Sequence, residues 1–174
     1  MTQLSTGEPE VGNYPFTTRA ITLGHVFEGG AKIGQVMDTP GLLDRGDDVR
    51  NEMEELTMAT MRHLPSAVVF VVDLSGHAGD SHSSPQKQLA VRDYLRAKFP
   101  KRPWIDVVSK TDLAALTDDK LEPPEGALFV SVREESGLVE LRSEVLKLLA
   151  RVERATSHHY AQVTPAKADP QTQP

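Results

Sequence analysis

Residues 104–112 read Trp-Ile-Asp-Val-Val-Ser-Lys-Thr-Asp, an apolar and β-branched run that ends in a group of polar side chains. A short run of this kind, introduced here by Pro103, is typical of a buried β-strand. Other short apolar runs, bounded by Gly, Pro or Asp, predict strands over 20–27, 32–37, 67–72 and 127–130. We therefore predict five strands.

Helical periodicity alternates with the later strands. Apolar residues recur at steps of three and four over 49–64, 84–98 and 138–152, which predicts three amphipathic helices. Strands that alternate with helices favour right-handed crossovers and a mainly parallel sheet with both faces covered. The pair Gly29-Gly30 separates the first two strands and predicts an antiparallel hairpin at a sheet edge.

The first of these helices has a defined predicted core face. Its spacing places Met53, Leu56, Thr60 and Leu64 on one side, with most of its acidic residues elsewhere. We expect this side to pack on the sheet.

A chain of 174 residues with 39% apolar residues can bury one core of ordinary size. We predict a single domain over residues 1–154. From residue 155 the chain is rich in His, Gln, Thr and Pro and has no periodic apolar residues. Residues 155–174 are therefore predicted to be a disordered tail.

Composition excludes several classes of function. The net charge of −6 argues against nucleic-acid binding by charge alone. The absence of cysteine excludes disulfides and thiolate metal sites. Because no apolar run approaches the roughly 20 residues that span a bilayer, we expect a soluble intracellular chain with no membrane partner. Nucleolar, cytoplasmic and organellar locations remain open.

The tetrapeptide Asp38-Thr39-Pro40-Gly41 directly follows the second predicted strand. A carboxylate at a strand end can reach magnesium through water, and a flexible glycine lets its N–H approach a γ-phosphate. An ordinary turn is the alternative.

A second candidate is Ser109-Lys110-Thr111-Asp112, at the end of the strand quoted above. Open α/β sheets bind ligands at such strand ends. The Asp112 carboxylate can accept hydrogen bonds from N1–H and the exocyclic amine of guanine, while the Lys110 stem lies along the base. Adenine offers no such donor pair. The alternative is a simple helix N-cap.

Two further segments indicate a nucleotide site only when they are considered together with these two candidates. Ser131-Val132-Arg133 follows the last predicted strand, where backbone N–H groups could reach the guanine O6. Phe16-Thr17-Thr18 precedes the hairpin, where a threonine could coordinate magnesium only when a triphosphate is bound. Each segment alone would be an ordinary loop.

Taken in order, these segments resemble a known family. Ser-Thr-Gly-Glu-Pro-Glu at 5–10, Asn-Tyr-Pro-Phe-Thr-Thr at 13–18, Asp-Thr-Pro-Gly-Leu-Leu-Asp-Arg at 38–45 and Phe-Val-Val-Asp-Leu-Ser at 70–75 are similar to the nucleolar GTP-binding (Nog) branch of the Obg superfamily. The likeness runs from about Leu4 to Leu149.

The resemblance implies a P-loop NTPase-type α/β fold, an Obg-like G domain with a three-layer sandwich and a mostly parallel sheet. It implies GTP or GDP and Mg²⁺ as cofactors, with Thr18 and Asp38 as metal ligands. It also implies GTP hydrolysis in assembly of the large ribosomal subunit, with a pre-ribosomal particle of rRNA and ribosomal proteins as partner. Leu42, where many GTPases carry the glutamine that orients water, implies slow intrinsic hydrolysis.

The chain departs from the family in two respects. It contains no Gly-x-x-x-x-Gly-Lys-Ser/Thr loop to cradle phosphates, and Ser109 stands where asparagine is usual. By the resemblance, the loop and a central first strand would precede Met1, and their loss would leave the strands ending at Asp38 and Asp73 with unpaired edges. We therefore expect a fragment or an incomplete gene model, with a degenerate paralogue as the rival.

We assign no catalytic residue from the sequence, and whether this chain is itself an enzyme is left open. A pseudo-GTPase that docks on a pre-ribosomal particle without nucleotide turnover is the alternative function. An adenine-nucleotide or non-nucleotide domain is disfavoured by Lys110-Thr111-Asp112.

Overall fold

The computed structural model of this chain describes Ser5 and residues 21–42, 52–76, 84–116 and 121–163. Its elements, in chain order, are β1 (Thr22–Glu28), β2 (Ala31–Asp38), α1 (Glu52–His63), β3 (Val68–Asp73), α2 (Pro85–Lys98), β4 (Trp104–Ser109), a 3-10 helix (Thr111–Leu116), β5 (Leu128–Phe129) and α3 (Leu138–Val163). All five predicted strands and all three predicted helices are present, with shifted ends.

Strands β1 and β2 form the predicted antiparallel hairpin, but in the described ranges it is a separate two-stranded sheet and not the edge of a larger one as predicted. Gly29 and Gly30 make its turn with φ values of 55° and 82°, in the left-handed region that glycine enters without steric cost. The register pairs Leu23 with Met37 and shifts by one residue between Val26 and Phe27.

Strands β3, β4 and β5 form a separate parallel sheet, in that order. The register runs from Val68 opposite Trp104 to Asp73 opposite Ser109. The prediction of a parallel sheet is therefore confirmed for these three strands. In the described ranges, β3 is an edge strand of this sheet, and β2 pairs only with β1.

Helices cover both faces of the parallel sheet. On one face, Met58 and Met61 of α1 pack with Val91 and Leu95 of α2, and Val68, Phe70 and Trp104 contact this cluster. On the other face, Leu141 and Val145 of α3 pack with Val107 and Val130. Successive strand residues point to opposite faces, so one run of valines serves both cores.

The predicted core face of α1 is wrong for Leu56 and Leu64, whereas Thr60 is buried as predicted. Glu54, Thr57, Met58 and Met61 are buried, whereas Leu56 and Leu64 are 41% and 44% exposed. The side chain of Met53 lies outside the described residues. Two overlapping apolar stripes share this helix, and contact with Val91 and Leu95 of α2 selects the one that contains both Met58 and Met61.

Helix α3 continues to Val163, past the predicted start of a disordered tail at residue 155. The Thr156 hydroxyl donates to the Val152 carbonyl at 2.8 Å within this extension. A helix that has already formed extends by one backbone hydrogen bond per residue and needs no apolar stripe to do so. The rest of the predicted tail, 164–174, lies outside the described residues.

The hairpin packs against α3. A Cβ atom on Gly34 would lie 2.7 Å from a methyl carbon of Leu149, so glycine permits the close approach of β2 to this helix. Arg142 of α3 donates to the Phe27 carbonyl at 2.7 Å. In the part of the chain that the structure describes, no helix is both long and apolar enough to cross a membrane.

Candidate functional site at the carboxyl edge of the parallel sheet

The carboxyl ends of β3, β4 and β5 bring four polar side chains to one edge of the parallel sheet. Asp73 ends β3, Lys110 and Asp112 follow β4, and Ser131 follows β5. Parallel strands present their carboxyl ends at the same edge. The topology therefore gathers residues that are far apart in sequence.

Lys110 turns the chain as it leaves β4. Its φ of 56° lies in the left-handed region, which is uncommon for a residue with a Cβ atom. The Leu113 N–H donates to the Lys110 carbonyl at 2.9 Å and leads into the 3-10 helix. The side chain runs back over the sheet edge, where its Nζ lies 2.7 Å from Asp73 Oδ2 while the side chain stays 48% exposed.

Three contacts from two residues hold the Asp73 carboxylate. Its Oδ1 accepts hydrogen bonds from the Ser75 N–H at 2.8 Å and the Ser75 hydroxyl at 2.5 Å, while Oδ2 faces Lys110. Burial alone would raise the pKa of Asp73, but the hydrogen bonds from Lys110 and Ser75 lower it below its ordinary value. The carboxylate is therefore ionised and fixed in orientation at neutral pH.

Asp112 is coupled to the loop after β5. The Ser131 hydroxyl donates to Asp112 Oδ1 at 2.6 Å and accepts from the Glu134 N–H at 3.1 Å. Ser131 is fully buried, and its backbone pairs with Ser136 in both directions. A buried hydroxyl that both donates and accepts sets the direction of the Asp112 carboxylate.

The next residues of this loop are open to solvent. Val132 is 61% exposed and Arg133 is exposed as well. Their backbones leave the sheet edge beside Asp112. A ligand bound to Asp112 could therefore contact the exposed residues Val132 and Arg133 on the β5 side.

Ser109 reaches the neighbouring strand. Its hydroxyl donates to the Val72 carbonyl at 3.2 Å, and the Thr111 N–H donates to the Val130 carbonyl at 3.3 Å. The 3-10 helix starts at Thr111, so the alternative of a simple helix start describes the backbone here. The Asp112 side chain, however, accepts a hydrogen bond from Ser131.

The Asp38–Gly41 turn has different contacts. Asp38 and Thr39 are half-buried, Pro40 is buried and Gly41 is exposed. The Thr57 hydroxyl of α1 donates to the Pro40 carbonyl at 2.8 Å, which ties this turn to α1. Phe16, Thr17 and Thr18 lie outside the described residues. In the described ranges, no group of three or more His, Asp or Glu residues is arranged to hold a metal ion.

Sequence reasoning gave no role to Asp73, Ser75 or Gln88. Gln88 of α2 bonds both backbone groups of Asp73, accepting from its N–H at 2.8 Å and donating to its carbonyl at 3.1 Å. The rule that ligands bind at strand ends would have marked Asp73, because it ends β3 as Ser109 ends β4. Gln88 carried no such signal.

A three-stranded parallel sheet flanked by helices, with charged side chains fixed at its strand ends, defines a mixed α/β domain consistent with an NTPase-like fold. The model of the family described as nucleolar GTP-binding protein 1 matches residues 52–112, which run from the start of α1 to Asp112.

Curated relatives extend this match. Nucleolar GTP-binding protein 1 of Arabidopsis thaliana is 29% identical over 84% of this chain and 20% of its own length. The Caenorhabditis elegans protein of that name is 31% identical over 79% of this chain and 19% of its own length. The Drosophila melanogaster protein is 26% identical over 84% of this chain and 24% of its own length.

The chain is therefore similar to the nucleolar GTP-binding protein 1 family over these matched residues, and the resemblance carried by its motifs is confirmed. It spans about a fifth of the length of these curated relatives.

Proposed function

We propose that this chain contributes the guanine-reading part of a GTP-binding domain, in a protein that acts on assembly of the large ribosomal subunit. The observation that carries the proposal is the Asp112 carboxylate, which Ser131 holds at 2.6 Å beside the sheet edge where Lys110 is anchored. The names of the three curated relatives described above, all GTP-binding proteins, support it.

Guanine fits the chemistry of this edge. Its N1–H and exocyclic amine are adjacent donors, and an ionised carboxylate accepts both. Adenine lacks this pair, so Asp112 would discriminate against it by leaving a polar group unsatisfied. The Lys110 stem would lie along the base plane, and backbone N–H groups of Ser131, Val132 and Arg133 would face the guanine O6. The backbone on either side of Lys110 would be held to β3 by Ser109 and to the β5 side by Thr111.

Magnesium is proposed for the other end of the nucleotide. Asp38 supplies a carboxylate oxygen, the ligand type that magnesium prefers, and magnesium commonly binds through one or two protein oxygens with water and phosphate completing its shell. Asp38 and Thr18 would hold the ion, which when bound offsets phosphate charge. Phe16, Thr17, Thr39, Pro40 and Gly41 would flank the phosphates, and Thr57 would fix the Pro40 backbone from α1.

A docking module without nucleotide turnover is the second candidate. Leu42 is half-buried and packs against the cluster of Met58, Met61 and Val91, so its side chain is committed to the core. This position therefore contributes no polar group to orient an attacking water. A pre-ribosomal particle of rRNA and ribosomal proteins is the proposed partner in both cases.

The test is a fluorescence titration of the purified chain with labelled GDP and GTP, with and without magnesium. Unlabelled ATP serves as competitor, and the Asp93→Asn variant serves as a charge control on the exposed side of α2. We expect saturable binding that GDP displaces and ATP does not. Hydrolysis of GTP is then measured with the same preparation.

Three outcomes separate the candidates. Guanine-selective binding with turnover supports the GTPase, and selective binding without turnover supports the docking module. Equal displacement by ATP, or no binding by a chain shown to be folded by circular dichroism, would exclude the guanine-reading role.

A further inference from the structure

Asp73 stands outside the motifs that read the guanine base, yet it contacts one of them directly. Its Oδ2 lies 2.7 Å from the Lys110 Nζ, and its side chain is 10% exposed against 48% for Lys110. We propose that Asp73 is a positioning residue that sets the direction of the Lys110 side chain for base binding. This inference rests on the proposed function.

The carboxylate is prepared for this role by its own neighbours. Ser75 donates twice to Oδ1, at 2.8 Å from its N–H and 2.5 Å from its hydroxyl. These two bonds fix the plane of the carboxylate and leave Oδ2 turned to the ammonium. The contact at 2.7 Å is an ion pair between the ammonium and an acceptor that is itself fixed.

The backbone of Asp73 is fixed independently of its side chain. Gln88 accepts from the Asp73 N–H at 2.8 Å and donates to its carbonyl at 3.1 Å, as a neighbouring strand would. Helix α2 therefore anchors the residue whose side chain meets Lys110. The N-terminus of α2 is capped, since the Lys87 N–H donates to the Ser84 hydroxyl at 3.4 Å.

The Lys110 side chain is flexible, so a partner that restrains it would favour base binding. Its backbone adopts a left-handed φ of 56°, and its side chain is a flexible four-carbon stem that is half-exposed. An unrestrained stem would lose rotational freedom when it packs along a base, which weakens binding. Asp73 restrains the ammonium before the nucleotide binds. Less rotational freedom of the side chain is therefore lost on binding.

The restraint itself is tested without nucleotide. The amine of Lys110 is labelled in the free chain with a water-soluble acylating ester, and its rate relative to that of exposed Lys101 is read by peptide mass spectrometry. We expect Asp73→Asn to raise this ratio about twofold or more, because the neutral amide no longer holds the ammonium. Asp93→Asn is the matched control and should leave the ratio unchanged.

A second variant guards against a folding defect in Asp73→Asn. Ser75→Ala keeps both charges and the backbone hydrogen bond to Oδ1 but removes the bond from the hydroxyl, and we expect a smaller rise in the same ratio. Because Lys101 is already exposed, general unfolding would raise the Lys110 rate more than the Lys101 rate, so circular dichroism must first show that each variant is folded. An unchanged ratio in both folded variants overturns the inference.

The consequence for binding is tested with labelled GDP. Asp73→Asn should weaken binding about three- to tenfold in the wild-type background. In the Lys110→Met background, which keeps the apolar stem without the ammonium, the same substitution should change binding by less than about twofold. Equal losses in the two backgrounds would show that Asp73 acts independently of Lys110 and would overturn the inference.

The two proposals fail in different ways. A folded wild-type chain that binds no guanine nucleotide excludes the proposed function, whereas the labelling ratio still decides whether Asp73 restrains Lys110. Guanine binding together with an unchanged labelling ratio excludes the positioning role and leaves the proposed function standing.

Discussion

Ser131 and Asp112 lie 19 positions apart in the chain, and the Ser131 hydroxyl donates to Asp112 Oδ1 at 2.6 Å. The same hydroxyl accepts from the Glu134 N–H. One fully buried serine thus joins the loop after β4 to the loop after β5. Each of the two loops therefore depends on the other for its shape.

Replacing Ser131 should weaken both loops. Ser131→Ala removes a hydrogen bond to a charged acceptor and leaves the Glu134 N–H without its partner, so we expect a loss of about 1–2 kcal/mol in the free energy of unfolding. Binding of labelled GDP should weaken about tenfold. Urea denaturation and fluorescence titration measure the two effects. Ser136→Ala, at an exposed position that pairs through its backbone, should leave both near wild type; equal losses there would argue against a specific role of the Ser131 hydroxyl.

Replacing Asp112 should change the preferred base. In Asp112→Asn the carboxylate becomes an amide that donates to one side, which suits xanthine because xanthine carries a carbonyl where guanine carries its amine. We expect GDP binding to fall about 10- to 100-fold and xanthosine diphosphate binding to improve. Competition titrations with the two diphosphates give the ratio. Retention of GDP preference in the variant would remove Asp112 from the base site, and Asp93→Asn is the control.

Acid should destabilise the domain through Asp106. Arg92 donates to both Asp106 oxygens, at 3.0 Å and 2.6 Å, and Trp104 Nε1 donates at 2.8 Å. Burial alone would raise the pKa of Asp106, but these hydrogen bonds lower it below its ordinary value. A carboxyl with a lowered pKa in the folded state stabilises the fold above its unfolded pKa of about 3.9, and this contribution is lost as the pH falls through the folded value.

The variant Asp106→Asn isolates this contribution. At pH 7 we expect it to be less stable by about 1–3 kcal/mol, because the Arg92 guanidinium loses its buried ionised partner and keeps only the exposed one, Asp93. The difference from wild type should shrink as the pH falls below about 4. Urea denaturation from pH 7 to pH 3 follows it; Asp93→Asn, which removes the exposed partner of the same guanidinium, should give a smaller difference. A difference that stays constant over this range would contradict the assignment.

Two glycines with the same backbone angle should respond differently to alanine. Gly137 and Gly126 have φ values of 72° and 73°, but a Cβ on Gly137 would lie 2.0 Å from the Phe129 carbonyl oxygen, whereas one on Gly126 would meet nothing within 4 Å. We expect Gly126→Ala to lose about 1 kcal/mol through backbone strain alone. Gly137→Ala should lose about 3 kcal/mol or more, because the start of α3 must also move away from β5. Thermal and urea unfolding measure both, and equal losses would mean that the contact with Phe129 relaxes freely.

The sequence predicted the elements better than it predicted their buried faces. Five apolar runs and three periodic segments became the strands and helices of the structure, because local periodicity reflects one-sided burial. For α1 the predicted face is only partly right: Thr60 is buried as predicted, but Leu56 and Leu64 are exposed, and Met58 and Met61 are buried instead. A helix with apolar residues on adjacent stripes has no local preference between them, and the partner helix decides.

The candidate site shows the same division. Lys110, Asp112 and Ser131 were marked by their positions after strands, and the structure gives all three a defined partner at the sheet edge. Asp73 was given no role although it ends a strand, and Gln88 was given none because its two bonds to Asp73 join positions 15 apart through a helix and a strand end. The roles of Thr18 and Asp38 as magnesium ligands remain predictions.

The sequence by itself determined the strands, the order of strands and helices, and the motifs that mark the family. These follow from local spacing, which any segment carries with it. Only the tertiary structure decided that Asp73 faces Lys110, that Ser131 holds Asp112 and that α1 turns its methionines inward. Such contacts join segments distant in the chain, and parallel pairing of β3, β4 and β5 sets the distances between them.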